Sequence, residues 1–324
     1  MTATSPATPT HQEPTTATQY APVGALQPQI LLDWYAAAAR DLPWRHSGVS
    51  AWAILISEVM LQQTPVARVL PMWTEWMGRW PSPAALADDS PAEAVRAWGK
   101  LGYPRRALQL HAAAQHIVAR FAGTVPSAVD DLESLPGIGP YTARAIAAFA
   151  FGARTPVVDT NVVRVMARAV HGRAQAGPSV TAADRARMQS LLPADPARAA
   201  LFSVAVMELG ALVCTAAAPH CPACPIRPAC TWQLAGAPLH AGPKRRPQRF
   251  EGTDRQVRGL LLDVLRATSE SVGIADLDRA WADGAQRNRA LESLLRDGLV
   301  ERLTDGRFAL AGDRTDTSPA IMEL

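Results

Sequence analysis

Two acids and one turn carry most of the chemistry open to this sequence. Glu58 lies in Trp52-Ala53-Ile54-Leu55-Ile56-Ser57-Glu58-Val59-Met60, a run whose apolar residues nearly surround a helix. An unpaired buried carboxylate is costly, and its usual escape is a raised pKa, so Glu58 is placed to keep a proton near neutrality. The alternative is one polar stripe, shared with Ser57 and Gln62, that faces solvent. The second acid, Asp159, opens a helix about twenty residues after Leu135-Pro136-Gly137-Ile138-Gly139-Pro140-Tyr141. Gly137 and Gly139 permit a positive φ or a close backbone approach. Pro140 is pre-set for the first turn of the helix that follows. That turn aims free N–H groups, at the positive end of a helix dipole, at whatever lies outside, and a phosphate suits it. Taken alone, a Gly-x-Gly turn is more often a tight helix–helix turn, and this one lacks the Lys-Ser/Thr end of a P-loop. With a carboxylate just downstream, it suggests an enzyme that grips a nucleic-acid backbone and acts beside it. For Asp159 the plain reading is an N-cap, and the two roles can coexist.

All four cysteines lie within seventeen positions, Cys214, Cys221, Cys224 and Cys230, spaced C-x6-C-x2-C-x5-C. Clustered thiols in a cytosolic chain read as metal ligands rather than disulfides. Zinc usually takes two short pairs separated by a longer span, whereas only one short pair exists here. A compact loop around a [4Fe–4S] cluster fits this set better, with structural zinc as the alternative. His220, Arg227 and three prolines make the loop stiff and moderately basic.

These groups need elements to hold them. The chain has 324 residues, 48% of them hydrophobic and 19% charged, with a formal net charge of +3. That is ample core material, and the charge is too small to demonstrate a polyanionic partner. Arg40 is the first Lys or Arg, so no secretory or transit signal is expected at the head of this sequence. No apolar run approaches the ~18–20 residues that span a bilayer, so a soluble, cytoplasmic chain without membrane contact is expected. Residues 1–27 are rich in Thr, Pro, Ala and Gln and read as a disordered tail. The 3.6-residue period predicts helices starting near Gln29 and over Ala51–Gln63, Pro65–Trp80, Pro91–Gly99 and Arg105–Phe121. Further helices are predicted from Val129, over Pro140–Phe151 and Thr160–His171, and over residues 181–193 and 196–213. Residues 236–252, with Lys244-Arg245-Arg246, read as a linker. Three helices and a hairpin turning at Asp305-Gly306 then make a winged-helix-like module over 253–311, before a mobile tail from 312 to 324.

The Gly-x-Gly hairpin, the Asp at the next helix start and the cysteine loop, in that order, resemble the helix–hairpin–helix DNA glycosylases that carry a [4Fe–4S] cluster. The resemblance covers about residues 30–235. It implies an all-α, two-lobed core over 28–235, with a six-helix lobe over about 50–155 and a cluster lobe built from the N-terminal helix plus 156–235. Within that superfamily, Ser57-Glu58-Val59-Met60-Leu61-Gln62-Gln63-Thr64, Trp44-Arg45 and Met207-Glu208-Leu209-Gly210 are similar to the MutY-type adenine glycosylases. Tyr141 stands where the endonuclease III branch has its nucleophilic Lys, which implies an enzyme without β-lyase activity. The resemblance implies a monomer acting on double-stranded DNA with adenine opposite 8-oxoguanine or guanine. Glu58 would be the general acid and Asp159 the anion beside C1′, supported by Tyr141 and Asn161. Trp44, Arg45, Leu61, Gln62, Gln63 and Glu208 would meet the substrate, and Gly137 and Gly139 the DNA backbone. One departure stands out: no β-rich Nudix-like domain follows residue 250. The alternatives are a mismatch thymine/uracil glycosylase of the same superfamily and a non-catalytic DNA-binding protein.

Overall fold

The computed structural model describes residue 24, residues 26–239 and residues 249–313. Most of the tail expected over 1–27, the basic centre of the linker, and the terminal tail beyond Asp313 lie outside the described residues. The chain begins with α1 (Pro28–Ala38), a 3-10 turn (Pro43–Arg45) and α2 (Ala51–Met60). There follow α3 (Val66–Arg79), α4 (Pro83–Ala87), α5 (Pro91–Trp98), α6 (Arg105–Phe121), α7 (Val129–Glu133) and α8 (Pro140–Phe151). Next come α9 (Thr160–Ala169), α10 (Ala182–Leu191), α11 (Pro196–Leu212) and the short α12 (Thr231–Leu234). The last elements are α13 (Asp254–Arg266), α14 (Ile274–Asp278), α15 (Gly284–Arg296), β1 (Val300–Arg302) and β2 (Phe308–Leu310). No helix among the described residues is long and apolar enough to cross a membrane.

Helix α2 stops at Met60, three residues short of the span its periodicity suggests. Pro65 bars the helix and disfavours helical geometry at the residue before it, so the chain turns early and Gln63 takes φ 58°. The turn of helix at α4 is absent from the sequence reading, because five residues are too few to show a period.

One core gathers α2 to α8 around six buried tryptophans. Trp44 meets Trp73 edge-on at 5.6 Å, and Trp76 meets Trp80 at 4.9 Å and Trp98 at 5.6 Å. Each such contact contributes about 1 kcal/mol beyond area burial. Buried indole N–H groups are satisfied by backbone oxygens: Trp73 donates to Ala53 O at 2.9 Å and Trp76 to Ala97 O at 2.9 Å. A second core joins α1, α9 and α11 to the cysteine loop through Leu31, Val162, Met166, Phe202, Val206, Leu209 and Trp232. Ala145, Ala148 and Val157 form the small seam between the two cores. Small residues there let α8 approach α11.

The C-terminal module is three helices and a hairpin paired Val300 with Leu310 and Arg302 with Phe308. Its Val257, Leu261, Leu294 and Phe308 belong to the same core as α2 to α8. Arg266 Nε donates to Val95 O at 3.0 Å, and Arg96 Nη2 donates to Thr268 O at 2.8 Å and pairs with Asp313. The module is thus docked on the first lobe.

Candidate active site and thiol cavity

Ser50 caps α2 by accepting from Ala53 N at 3.2 Å, and every α2 residue after Ala51 is buried. Glu58 is 7% exposed, which removes the solvent-stripe alternative, and its neighbour Ser57 is satisfied by donating to Ile54 O at 2.8 Å. Burial pushes the Glu58 carboxyl up to about 7; the Asp159 charge also raises it, while the Tyr141 hydrogen bond and Arg45 act against the rise. Tyr141, in the first turn of α8, donates its hydroxyl to Glu58 Oε2 at 3.1 Å. Its own pKa is raised well above the ordinary value by burial, reinforced by Glu58 and Asp159, so it stays a donor. The structure thus puts Tyr141 on the glutamate, where the resemblance had assigned it to Asp159.

The turn before α8 splits the work of its two glycines. Gly137 takes φ +76°, and a Cβ there would fall 2.6 Å from Gln109 Cβ. Gly139 keeps an ordinary φ as N-cap, and a Cβ there would meet nothing within 4 Å. Internal packing therefore does not require a glycine at this position. Ile138 between them is buried and pins the turn to the core.

Asp159 caps α9 through Val162 N at 2.7 Å to Oδ1, and Asn161 Nδ2 donates to its other oxygen at 2.7 Å. Burial raises its carboxyl above the usual aspartate value, against both of those hydrogen bonds and Arg164. The helix start alone would have held it low; desolvation by burial outweighs that. Behind it, Arg164 Nη2 donates to Asn161 Oδ1 and to Gly210 O, each at 2.7 Å, and Arg164 Nε to Cys214 O at 2.7 Å. A Cβ on Gly210 would lie 2.7 Å from Asn161 Cβ, so only glycine lets α11 come this close.

Glu208 is 1% exposed and takes Arg40 Nε and Nη2 at 2.7 Å each and Arg45 Nη2 at 3.0 Å. Burial would raise its carboxyl, but the two arginines hold it at about 2. Arg40 is the residue the sequence reading missed; it lies 168 positions from its partner, and no local pattern marks it. Arg45 Nη1 is buried with no hydrogen-bond partner. Trp44 is buried against Trp73. Past the end of α2, Leu61 packs partly buried on the core, Gln62 Nε2 donates to Thr142 Oγ1 at 3.0 Å, and exposed Gln63 accepts from Tyr103 OH at 2.7 Å.

Cys214, Cys221, Cys224 and Cys230 line one cavity with Val165, Arg168, Ile226 and Trp232. Burial pushes the Cys224 thiol up to about 11 and raises Cys230, and the neighbouring thiols add to both. Raised thiols of this kind bind as thiolates only where a bound positive group offsets their charge. Among the described residues, no three metal-ligating side chains converge on a single-ion position. Four thiols around one cavity are the donor type that a metal cluster takes. Arg168 Nη1 donates to Cys214 Sγ at 3.4 Å and Gln233 Nε2 to Cys221 Sγ at 3.3 Å, supplying N–H groups to thiolates.

The model of the HhH-GPD superfamily of base excision DNA repair proteins matches residues 56–189. An adenine DNA glycosylase of Mycobacterium tuberculosis is 58% identical over 284 residues, 87% of this chain and 93% of that protein. An adenine DNA glycosylase of Mycolicibacterium smegmatis is 57% identical over 297 residues, 91% of this chain and 100% of that protein. A solved structure of a thermostable thymine-DNA glycosylase matches 64% of this chain and 95% of its own, with TM-score 0.58 at 25% identity.

Proposed function

The chain belongs to the adenine DNA glycosylases of the HhH-GPD superfamily, and we propose that its substrate is adenine mispaired with 8-oxoguanine or guanine in double-stranded DNA. The enzyme is an N-glycosylase, a hydrolase of base excision repair. What supports the reading is proximity: Tyr141 bonds Glu58 at 3.1 Å, and Asp159, at the start of a third helix, is near enough for its charge to act on both.

Adenine leaves poorly as an anion. Glu58, still protonated near neutrality, would donate to the adenine ring at N7 so that the base departs neutral. Tyr141 would hold the carboxyl in register. Asp159, oriented by Asn161 and Val162 N, would face the C1′ cation, either as a charge or as a transient covalent partner, before water completes the hydrolysis. Glu208 and Arg45, paired with each other, would contact the base. Trp44 would back the base pocket. Leu61, Gln62 and Gln63 would stand where the base leaves the stack, and the α8 turn at Gly137 and Gly139 would hold the backbone phosphate. The reading takes the monomer as the working unit, since the roles above call on no residue of a second chain.

Cys214, Cys221, Cys224 and Cys230 would hold a [4Fe–4S] cluster, which stiffens the loop beside α9. Protein purified without oxidation should be brown, with about four irons per chain. Zinc in their place would overturn the cluster.

The direct test is release of free adenine from A:8-oxoguanine, A:G and A:C duplexes. The product should be an abasic site that breaks only on alkali treatment. Enzyme-dependent nicking, or a borohydride-trapped adduct, would mean that an amine elsewhere does what Tyr141 cannot. Thymine or uracil release from mismatches with guanine, without adenine release, would move the substrate to the neighbouring branch of the superfamily. Binding without release of any base would leave only a DNA-binding protein.

A further inference from the structure

We propose that the C-terminal module is a brace for the segment leading out of the catalytic helix α2, and that Arg255 is the positioning residue through which it acts. The proposal rests on the reading above, in which Gln63 works where the target base leaves the stack. Gln63 and Tyr103 both have φ 58°, in the left-handed region that L side chains rarely adopt. They are bonded to each other, Tyr103 OH to Gln63 Oε1 at 2.7 Å, and both are exposed, Tyr103 by 45%. Burial therefore does not hold this strained pair; its surroundings must.

The first lobe supplies part of the support. Trp98 Nε1 donates to Gly102 O at 3.1 Å, Arg68 bonds Lys100 O, and Arg106 lies 4.6 Å from the Tyr103 ring centre. The module supplies the rest. The Arg255 guanidinium lies 5.4 Å from the Tyr103 ring centre and 5.9 Å from that of Phe250, between the two rings. Its Nη2 stands 3.7 Å from where a Cβ on Gly102 would be. Asp263 faces Lys100 at 3.9 Å, and Asp297, itself held by Arg258 at 2.6 Å, faces Arg105 at 3.6 Å. Positions 100, 103 and 105 each meet a module side chain of matching character.

The module is poorly suited to gripping DNA with its own charge. Its Arg258, Arg266, Arg279, Arg287 and Arg289 are each paired with an aspartate of the module. Positive charge so neutralised attracts phosphate weakly. The arrangement serves internal support: the module sets Tyr103, Tyr103 sets Gln63, and the step affected is base extrusion rather than bond cleavage.

The experiment uses the full chain with 2-aminopurine in place of the target adenine, opposite 8-oxoguanine, so that a fluorescence rise reports extrusion. Arg255→Ala should slow that rise about twofold to fivefold, the scale of one exposed cation–π contact, and Arg255→Lys should recover most of it. The pH midpoint of adenine release should not move. In a Gln63→Ala background the Arg255 change should add nothing, since both act through one pair. An unaltered rise in Arg255→Ala, additive losses, or equal losses in Ala and Lys that track a lowered melting temperature would each overturn the brace. A wild-type chain that extrudes the base but releases no adenine would overturn the substrate reading and leave the brace standing.

Discussion

Glu58→Gln should release adenine ~10²–10⁴-fold more slowly than the wild-type chain while still binding mismatched duplex. Gln keeps the shape and can still accept from Tyr141, so the pocket should survive; what it loses is the transferable proton. The wild-type rate should fall as pH rises through about 7, where Glu58 ionises. The residual rate of the variant should lack that fall. Single-turnover release at saturating enzyme measures both, and near-normal turnover would remove Glu58 from the chemistry.

The same group links activity to stability. Its pKa is raised from 4.5 to about 7 on folding, chiefly by burial. A carboxyl raised in this direction gives stability that is fully present below the unfolded pKa and lost as pH rises through the folded one. At about 1.4 kcal/mol per pH unit, forcing it to ionise in place costs on the order of 3 kcal/mol. Glu58→Gln should therefore melt higher than the wild-type chain at pH 8, with a gain that shrinks as pH falls toward 4.5. A lower melting temperature at pH 8 would mean that the ionised carboxylate is paired and stabilising. The proton donor is thus kept at a cost in stability above neutrality.

Much of the site follows from local pattern. An acid inside an apolar run raises the question of its burial, which the packing of α2 decides; a Gly-x-Gly-Pro before an Ala-rich segment announces a helix start, and Asp159 announces a cap. The four cysteines are legible because they lie close in the chain. What pattern misses is what distance in sequence hides. Arg40 clasps Glu208 from 168 positions away, and Arg96 meets Thr268 from 172 away. Such contacts leave no period, because their residues sit on helices whose faces are set by nearer partners. Tyr141 is legible as an absent lysine, yet its bond to Glu58 depends on how α2 and α8 pack. The docking of the C-terminal module is the largest instance. Its linker-like approach suggests separation, whereas its apolar face completes the core of the first lobe.

Asp159→Asn carries the second large effect, a loss of about 10³-fold in adenine release. The variant should fold, because Asn caps a helix about as well as Asp and can keep the bond from Val162 N. Its other terminal atom is the difficulty. Asn161 Nδ2 donates to Asp159 Oδ2 at 2.7 Å, and Arg164 holds Asn161 by its oxygen, so the donor cannot easily turn away. An amide nitrogen placed there would set two donors face to face, in a pocket that has also lost the anion facing C1′. The loss should fall on the rate at saturation rather than on duplex binding. A second signature separates this from general damage. The Asp159 charge helps to raise Glu58, so its removal should shift the midpoint of the residual pH profile below the wild-type value. A midpoint that stays put would mean that the two acids do not share one pocket, and a rate that stays put would leave Asp159 as a helix cap and nothing more.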